Sequence, residues 1–301
     1  KHQLVADYHI SLAEFNEKIA SAKAKLLAVR AQRIRPGLDD KILTSWNSLM
    51  IKGLCKAYQA FADEKYLQLA LKNYQFLNKN MVRNEDGLYR NYKNGKASIN
   101  GFLDDYALFI EAIIYLYECT FDEAFLHQAK ALTDYTLDHF RDDESGMFFY
   151  TSNLDEALIA RKYETMDNVI PASNSVMAFN LKRLSQFFDD ERYTKIYQHL
   201  LKMVHPQMKS YGSGYSNWAS LLLEEVKGCA EVVITGPNYS LQRKELVKNY
   251  IPNQIILGGK QGNLPLLQDK FVGGDKIFVC KDKTCMLPVS EVSEAIKQIF
   301  E

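Results

Sequence analysis

The sequence has no excess of either charge and no long apolar run. Its 301 residues include 37 Lys and Arg and 37 Asp and Glu, so the formal net charge is zero. Nucleic acids and anionic membranes attract positively charged proteins, and this balance argues against both as partners. A membrane-spanning helix needs about 18 or more consecutive apolar residues. The sequence contains no such stretch, so we predict no membrane span.

Cysteine and proline are also scarce. The five cysteines are odd in number and scattered, which is not typical of a disulfide framework. The seven prolines favour a helical protein. The chain starts with Lys1 and shows no secretory signal there, so we expect a piece of a longer cytoplasmic protein.

A helical repeat organises the first three quarters of the chain. The segments that begin at Asp63, Asp122 and Asp190 each read as a helix start, and the first two lie 59 residues apart. Gly87 and Gly146, each followed by aromatic residues, are again 59 residues apart. Aspartate favours the N-cap position because its carboxylate accepts a hydrogen bond from a first-turn amide. We therefore predict a repeated pair of helices with a tight turn between them.

The helix before each Asp is more apolar than the one after it, which predicts an inner and an outer layer. The inner helices are expected at 46–61, 102–119 and 174–188, and a fourth at 216–226. One hairpin cannot bury its inner face alone, so hairpins stack side by side. The predicted fold is mainly α, an (α/α) helical-hairpin toroid or partial toroid.

A small α/β module is predicted to follow the hairpins. Short β-branched runs at 231–236, 254–257 and 276–280 alternate with helical patterns. We predict two domains, a toroid-like domain over residues 1–228 and an α/β module over residues 229–301.

Acids, amides and aromatic residues lie just before the inner helices or at their first turns. These positions share one end of the predicted ring, where helix dipoles and free amides favour anionic groups. Paired carboxylates can act as general acid and base, and aromatic rings suit the faces of sugars. The candidate catalytic residues are Asp39, Asp40, Asp104, Asp105 and Asp167. The candidate substrate-binding residues are Arg35, Lys41, Trp46, Asn47, Tyr106, Asn174 and Trp218.

Ordinary helix capping explains each of these acids equally well, and both tryptophans can belong to the core. The functional interpretation depends on recurrence at equivalent places. None of the six histidines falls in these segments, and no cluster has the spacing of a metal site. We therefore predict no metal and no cofactor. Cys280 and Cys285 could form a redox or metal pair, although two thiols across a turn is the simpler interpretation.

Four segments carry a resemblance to a known family. Residues 35–50 (RPGLDDKILTSWNSLM) resemble a long signature of the spermatogenesis-associated protein 20 family, also called thioredoxin-domain proteins. Residues 102–107, 171–176 and 285–289 agree with it as well. The family usually has Gly at the position of Ser48, and Pro-Ser-Gly-Asn-Ser where this chain has Pro-Ala-Ser-Asn-Ser.

The resemblance implies an N-terminal thioredoxin-like domain followed by a six-hairpin toroid similar to glycosidases and sugar epimerases. This chain would then be the C-terminal half, and the missing thioredoxin-like and helical region would be its partner within the same protein. Epimerases of this fold are expected to use histidines, which would have to come from the missing region. A hydrolase that uses carboxylates remains compatible with the residues present.

Two functions follow as hypotheses. The first is a carbohydrate-processing or carbohydrate-binding domain, glycosidase-like or epimerase-like, in which Arg35 and Lys41 position the ligand and Trp46, Tyr106 and Trp218 stack on a sugar ring. The second is a non-catalytic interaction or scaffold domain that supports the thioredoxin-like domain. Carboxylates that face a common cavity would favour the first, and carboxylates that only cap helices would favour the second.

Overall fold

The computed structural model describes residues 1–83, 87–156, 159–282 and 284–301. The chain divides into two compact units, Lys1–Asp40 and Lys41–Glu301. The first unit contains α1 (His2–Asp7) and α2 (Leu12–Ala31). Ser11 and Glu14 form a capping box at the start of α2, in which each side chain accepts a hydrogen bond from the other residue's backbone N–H.

Three helical hairpins and a seventh helix form most of the second unit. The inner helices are α3 (Thr44–Phe61), α5 (Leu103–Thr120), α7 (Ser173–Phe188) and α9 (Ser216–Lys227). The outer helices are α4 (Glu64–Asn80), α6 (Glu123–Phe140) and α8 (Glu191–Ser210). Inner helix α5 is buried along almost its whole length, as its apolar sequence predicts. The mainly α, helical-hairpin fold class is therefore confirmed.

The same turn joins the two helices of each hairpin. The inner helix ends at a residue with left-handed backbone, Ala62, Phe121 or Asp189, with φ of 55°, 61° and 54°. The next cap is the predicted aspartate, which accepts a hydrogen bond from the amide two residues later, at 2.9 Å for Asp63 and 3.1 Å for Asp122. The aspartates thus fix where the outer helices begin.

Two small sheets complete the second unit. The first is antiparallel and contains β1 (Ile42–Leu43), β2 (Tyr89–Lys93) and β3 (Lys96–Asn100) in that order. The second contains β4 (Ala230–Thr235), β5 (Gln254–Gly259), β6 (Lys276–Lys281) and β7 (Thr284–Cys285), in the order β5-β4-β6-β7. Helices α10 (Tyr239–Val247) and α11 (Val292–Phe300) pack against the second sheet. Strands β4 and β5 are parallel, and the other neighbours are antiparallel.

The helical pattern gives way to strands between Lys227 and Ala230, where the sequence places the end of the toroid-like domain. The division into domains 1–228 and 229–301 stays a prediction. Cys280 and Cys285 face each other across the β6–β7 pair and form a disulfide bond. Among the described residues, no helix is both long enough and apolar enough to cross a bilayer.

Candidate functional site

Two of the predicted aspartates share one arginine at the start of α5. Arg90, on β2, donates to Asp104 Oδ1 at 3.0 Å and to Asp105 Oδ2 at 2.9 Å. Its guanidinium also lies 4.6 Å from the centre of the Phe102 ring. The hairpin of β2 and β3 thus brings a cation to the two acids that begin the helix.

Asp105 is fully occupied by backbone and arginine contacts. Its carboxylate accepts from the Phe102 amide at 3.0 Å, which caps its own helix, and from the Ser45 amide at 3.0 Å, at the start of α3. The side chain has no exposed surface. Burial, reinforced by the Asp104 charge, raises the pKa of Asp105 to about 7 against the opposing effect of Arg90 and the amides.

Asp167 and Asn174 make the equivalent contacts around α7 and α9. Asp167 accepts from the Ala172 amide at 2.9 Å and from the Asn217 amide at 2.8 Å, so one carboxylate binds the starts of two helices. Asn174 is fully buried and exchanges two hydrogen bonds of 2.9 Å with the backbone of Phe148. Both side chains therefore position backbone segments at this end of the inner helices.

The predicted aromatic residues differ in their exposure. Trp218 is fully buried and donates its indole N–H to the Thr165 carbonyl at 2.8 Å. Tyr106 is also buried, accepts a hydrogen bond from the Leu88 amide at 2.8 Å and stacks on Tyr135. Trp46 is 64% exposed on α3. Of the three rings, only that of Trp46 is open to a ligand in this structure.

The other predicted site residues come from the sequence well before Asp104 and Asp105. Arg35, Asp39 and Asp40 belong to the first unit and are exposed there. Lys41 is the exposed first residue of the second unit. Asn47 donates to the Leu43 carbonyl at 2.9 Å and so holds the first turn of α3.

A cavity of about 670 Å³ lies along the inner helices, beyond the first turns of α3, α5 and α7. Each inner helix contributes polar side chains at helical spacing: Lys52, Lys56 and Gln59 from α3; Glu111, Tyr115 and Glu118 from α5; Asn180 and Arg183 from α7; Asn217, Ser220 and Glu224 from α9. The segment 247–254, which joins α10 to β5, lines the rest together with Ile256. The cavity is thus built from four helices and one connection of the α/β elements.

Ion pairs connect neighbouring helices across the cavity wall. Lys52 on α3 binds Glu111 on α5 at 2.6 Å, and Arg183 on α7 binds Glu224 on α9 at 2.7 Å. Arg183 also donates to the Gln254 carbonyl at 3.2 Å, which links the wall to β5. These pairs fix the spacing of the inner helices and leave charged groups along the cavity.

Tyr115 and Glu118 of α5 also belong to this wall. Burial, together with the charges of Glu111 and Glu118, raises the pKa of Tyr115 above its usual range. Burial also raises the pKa of Glu118, while Lys56 and Arg183 act in the opposite direction. Glu118 therefore takes up a proton more readily than an exposed glutamate.

The cavity residues are not among those predicted from the sequence, because the inner helices were interpreted from their apolar residues. A detectable signal was present: residues 52, 56 and 59 on α3, and 111, 115 and 118 on α5, recur at intervals that place them on one helix face. A polar stripe repeated on consecutive inner helices predicts a shared polar surface. Among the described residues, no three His, Cys, Asp or Glu side chains come together as a possible metal site.

Comparison with known proteins confirms the resemblance seen in the sequence. No family model matches the chain. An uncharacterized protein of Caenorhabditis elegans is 26% identical, over 99% of this chain and 43% of its own length. Spermatogenesis-associated protein 20 of Homo sapiens is 26% identical, over 92% of this chain and 38% of its own length.

Among solved structures, the GH76 α-mannanase of Bacteroides thetaiotaomicron aligns with a TM-score of 0.50. The alignment covers 72% of this chain and 64% of the mannanase at 15% identity, which shows a shared fold. The chain is therefore a relative of the spermatogenesis-associated protein 20 proteins, matched over nearly all of its own length and about two fifths of theirs.

Proposed function

We propose that the chain binds a saccharide in the cavity along its inner helices. The observation that carries this proposal is the convergence of polar side chains from four inner helices on one cavity of about 670 Å³. Sites for small molecules commonly enclose about 300–1,000 Å³ and combine apolar walls with a few placed polar groups. The cavity has both properties.

The lining suits the chemistry of a sugar. A hydroxyl group both donates and accepts hydrogen bonds, so it pairs with carboxylates, ammonium groups and amides alike. Glu111, Lys52 and Asn180 supply one of each. Ile114, Phe179 and Leu223 supply apolar surface for the C–H face of a sugar ring. The fold, which an α-mannanase shares, is compatible with this use but does not by itself decide function.

In this proposal the aspartates at the helix starts hold the cavity wall in place. Asp104 and Asp105 fix Arg90 and the first turns of α3 and α5, and Asp167 fixes α7 and α9. All three are engaged with backbone amides or with Arg90. Their contacts favour positioning over reaction, so the proposal is saccharide binding, with turnover as a separate question.

A non-catalytic scaffold role is the second candidate, and the same contacts of Asp104, Asp105 and Asp167 favour it. The chain would then support the thioredoxin-like domain that the family resemblance implies. The two candidates differ in one property: a scaffold has no requirement for a ligand in the cavity.

Saccharide binding can be tested by calorimetry and ligand-observed NMR with a panel of mono- and disaccharides. Glu111→Gln keeps the shape of the side chain but removes its charge and its ion pair with Lys52. We expect it to weaken binding about tenfold, since a hydrogen bond to a charged group contributes about 1.5–3 kcal/mol. Glu191→Gln, on the exposed face of α8, is the matched control. If the wild-type chain binds no saccharide, the scaffold role takes precedence.

Turnover is tested separately by product analysis after long incubation with each saccharide that binds. We expect the bound sugars to be recovered unchanged. Appearance of a hydrolysed or epimerised product, lost in Asp104→Asn, would return a catalytic role to the aspartate pair.

A further inference from the structure

The cavity lining contains more cationic than anionic side chains. Its ionisable groups are the cations Lys52, Lys56, Arg183 and Lys248 and the acids Glu111, Glu118 and Glu224. The charge that matters to a ligand depends on which of these already neutralise one another.

Two cations are paired with two of the acids. Lys52 and Glu111 are 2.6 Å apart, and Arg183 and Glu224 are 2.7 Å apart. Arg183 additionally donates to the Cys229 sulfur at 3.3 Å and to the Gln254 carbonyl. The donors of Arg183 are thus largely engaged by the protein.

Lys56 is the cation that remains available. Its ammonium lies 4.4 Å from the centre of the Tyr115 ring, and Lys52, one helical turn earlier on α3, lies 5.6 Å from the same ring. No carboxylate in the described part of the chain forms an ion pair with Lys56. The remaining acid, Glu118, is buried and accepts a hydrogen bond from the Ile256 backbone.

Lys248 adds a second positive charge at the edge of the cavity. It is exposed and lies at the start of the connection from α10 to β5. Lys56 beside the Tyr115 ring and the exposed Lys248 therefore leave the cavity lining with an excess of positive charge. Positively charged clefts concentrate anionic ligands.

We infer that the ligand of the cavity is an acidic saccharide, a sugar that carries a carboxylate or phosphate group, and that Lys56 binds this anionic group. The inference rests on the proposed saccharide binding and specifies its substrate class. A carboxylate or phosphate oxygen of the sugar would accept a hydrogen bond from the Lys56 ammonium. Glu111 and side-chain amides of the lining, such as that of Asn180, would bind the hydroxyl groups of the ring.

The test compares matched ligands by calorimetry: glucose, glucuronate and glucose 6-phosphate, with inorganic phosphate alone as a fourth probe. We expect at least one acidic sugar to bind about tenfold more tightly than glucose at low salt, and this preference to shrink at high salt. Preference for glucuronate or for the phosphate ester identifies which anionic group is bound.

Three variants assign the effect to Lys56. Lys56→Met keeps the aliphatic length and should abolish the preference, while Lys56→Arg should keep it. Lys202→Met, an exposed lysine on outer helix α8, is the matched control and should leave the preference intact. Thermal denaturation of each variant verifies that the fold is retained.

Each remaining outcome has a defined meaning. Equal binding of glucose, glucuronate and glucose 6-phosphate would overturn the inference and leave saccharide binding standing. A preference that survives in Lys56→Met would overturn the role of Lys56. Inorganic phosphate that binds as tightly as glucose 6-phosphate would indicate a site for a bare anion and contradict the inference. No binding of any sugar would contradict the proposed function itself.

Discussion

Asp105 illustrates how a carboxylate at a helix start can be fully used by the fold. It accepts hydrogen bonds from two backbone amides, one on its own helix and one on α3, and from Arg90 on β2. A single side chain therefore connects two inner helices and a strand. Loss of this carboxylate leaves buried donors without acceptors, which costs more than loss of an exposed cap.

We expect Asp105→Ala to lower the free energy of unfolding by about 3–5 kcal/mol, as removal of one partner of a buried ion pair typically does. The matched control is Asp122→Ala, which removes an exposed cap on α6 and should cost about 1 kcal/mol. Urea denaturation of both variants measures the difference. Equal losses would show that the buried network adds nothing beyond capping.

Glu118 should make stability depend on pH. Burial raises its pKa above the ordinary value of 4.5, so the folded chain holds this proton more tightly than the unfolded chain. As the pH rises above 4.5, the unfolded side chain ionises first, and the contribution of Glu118 to stability falls until the folded carboxyl has also ionised. The free energy of unfolding of the wild type should therefore fall relative to Glu118→Gln over this range.

Urea denaturation of both proteins at a series of pH values checks this sign. Glu191→Gln on the exposed face of α8 serves as the control, since it should follow the wild type. A difference between wild type and Glu118→Gln that stays constant or rises with pH would contradict a raised pKa for this group.

At the scale of the element, the turns between inner and outer helices show what the sequence could predict. The three aspartate caps were visible because a cap needs only one residue type at one local position. The buried helix α5 was visible because its apolar residues run all round the helix. The contact of Arg90 with Asp104 and Asp105 was not visible, because it depends on the placement of a strand hairpin.

The site was harder to predict than the fold for a related reason. Aspartates at helix starts look the same in sequence whether they cap or catalyse. The structure gives Asp105 and Asp167 capping contacts and places the cavity beside Lys56, Glu111 and Glu118. Lys56, Glu111 and Glu118 are recognised as one polar surface only when the sequences of helices α3 and α5 are compared with each other.

The left-handed residues that end the inner helices predict a gain in stability. Ala62 has φ of 55°, which a residue with a Cβ adopts at some cost and glycine adopts readily. We expect Ala62→Gly to raise the free energy of unfolding by about 0.5–1 kcal/mol. Ala60→Gly, two residues earlier within α3, should lower it by about 1 kcal/mol. Thermal denaturation should therefore show that Ala62→Gly is more stable and Ala60→Gly less stable than the wild type. A loss of stability in both variants would contradict this prediction.

Arg243 connects two elements that the sequence analysis assigned to different domains. It lies on α10 and is buried, and it donates to the Glu118 carbonyl at 3.1 Å, to the Cys119 carbonyl and to the Tyr58 hydroxyl at 3.0 Å. The two carbonyls lie in the last turn of α5, where helix carbonyls have no partner within the helix, and the Tyr58 hydroxyl lies on α3. Arg243 thus acts as a C-cap supplied from outside the hairpin.

We expect Arg243→Met, which keeps much of the side-chain volume, to destabilise the chain by about 2–4 kcal/mol, since several hydrogen bonds to a charged group are lost. The control is Lys244→Met, the next residue. Its ion pair with Glu64 is partly exposed and should contribute less than about 1 kcal/mol. Chemical denaturation compares the two, and similar effects would show that the cap from α10 is dispensable.

At the scale of the whole second unit, the helices and the second sheet share one core. The buried apolar cluster includes Leu116 and Phe121 of the hairpins together with Val232 and Ile256 of the sheet. Phe121 also packs on Tyr239 at the start of α10 with ring centres 5.8 Å apart. The core therefore runs through the position where the predicted domain boundary lies.

This continuity predicts the behaviour of a truncated chain that ends at Gly228. Removal of residues 229–301 exposes Phe121 and the end of α5 and removes the Arg243 cap, so the helices lose both apolar burial and hydrogen bonds. We expect the truncated chain to unfold without a cooperative thermal transition, while the intact chain unfolds cooperatively. Heating followed by circular dichroism and by near-ultraviolet signals compares the unfolding of the truncated and the intact chain. A cooperative transition in the truncated chain at the temperature of the intact chain would instead establish residues 1–228 as an autonomous domain.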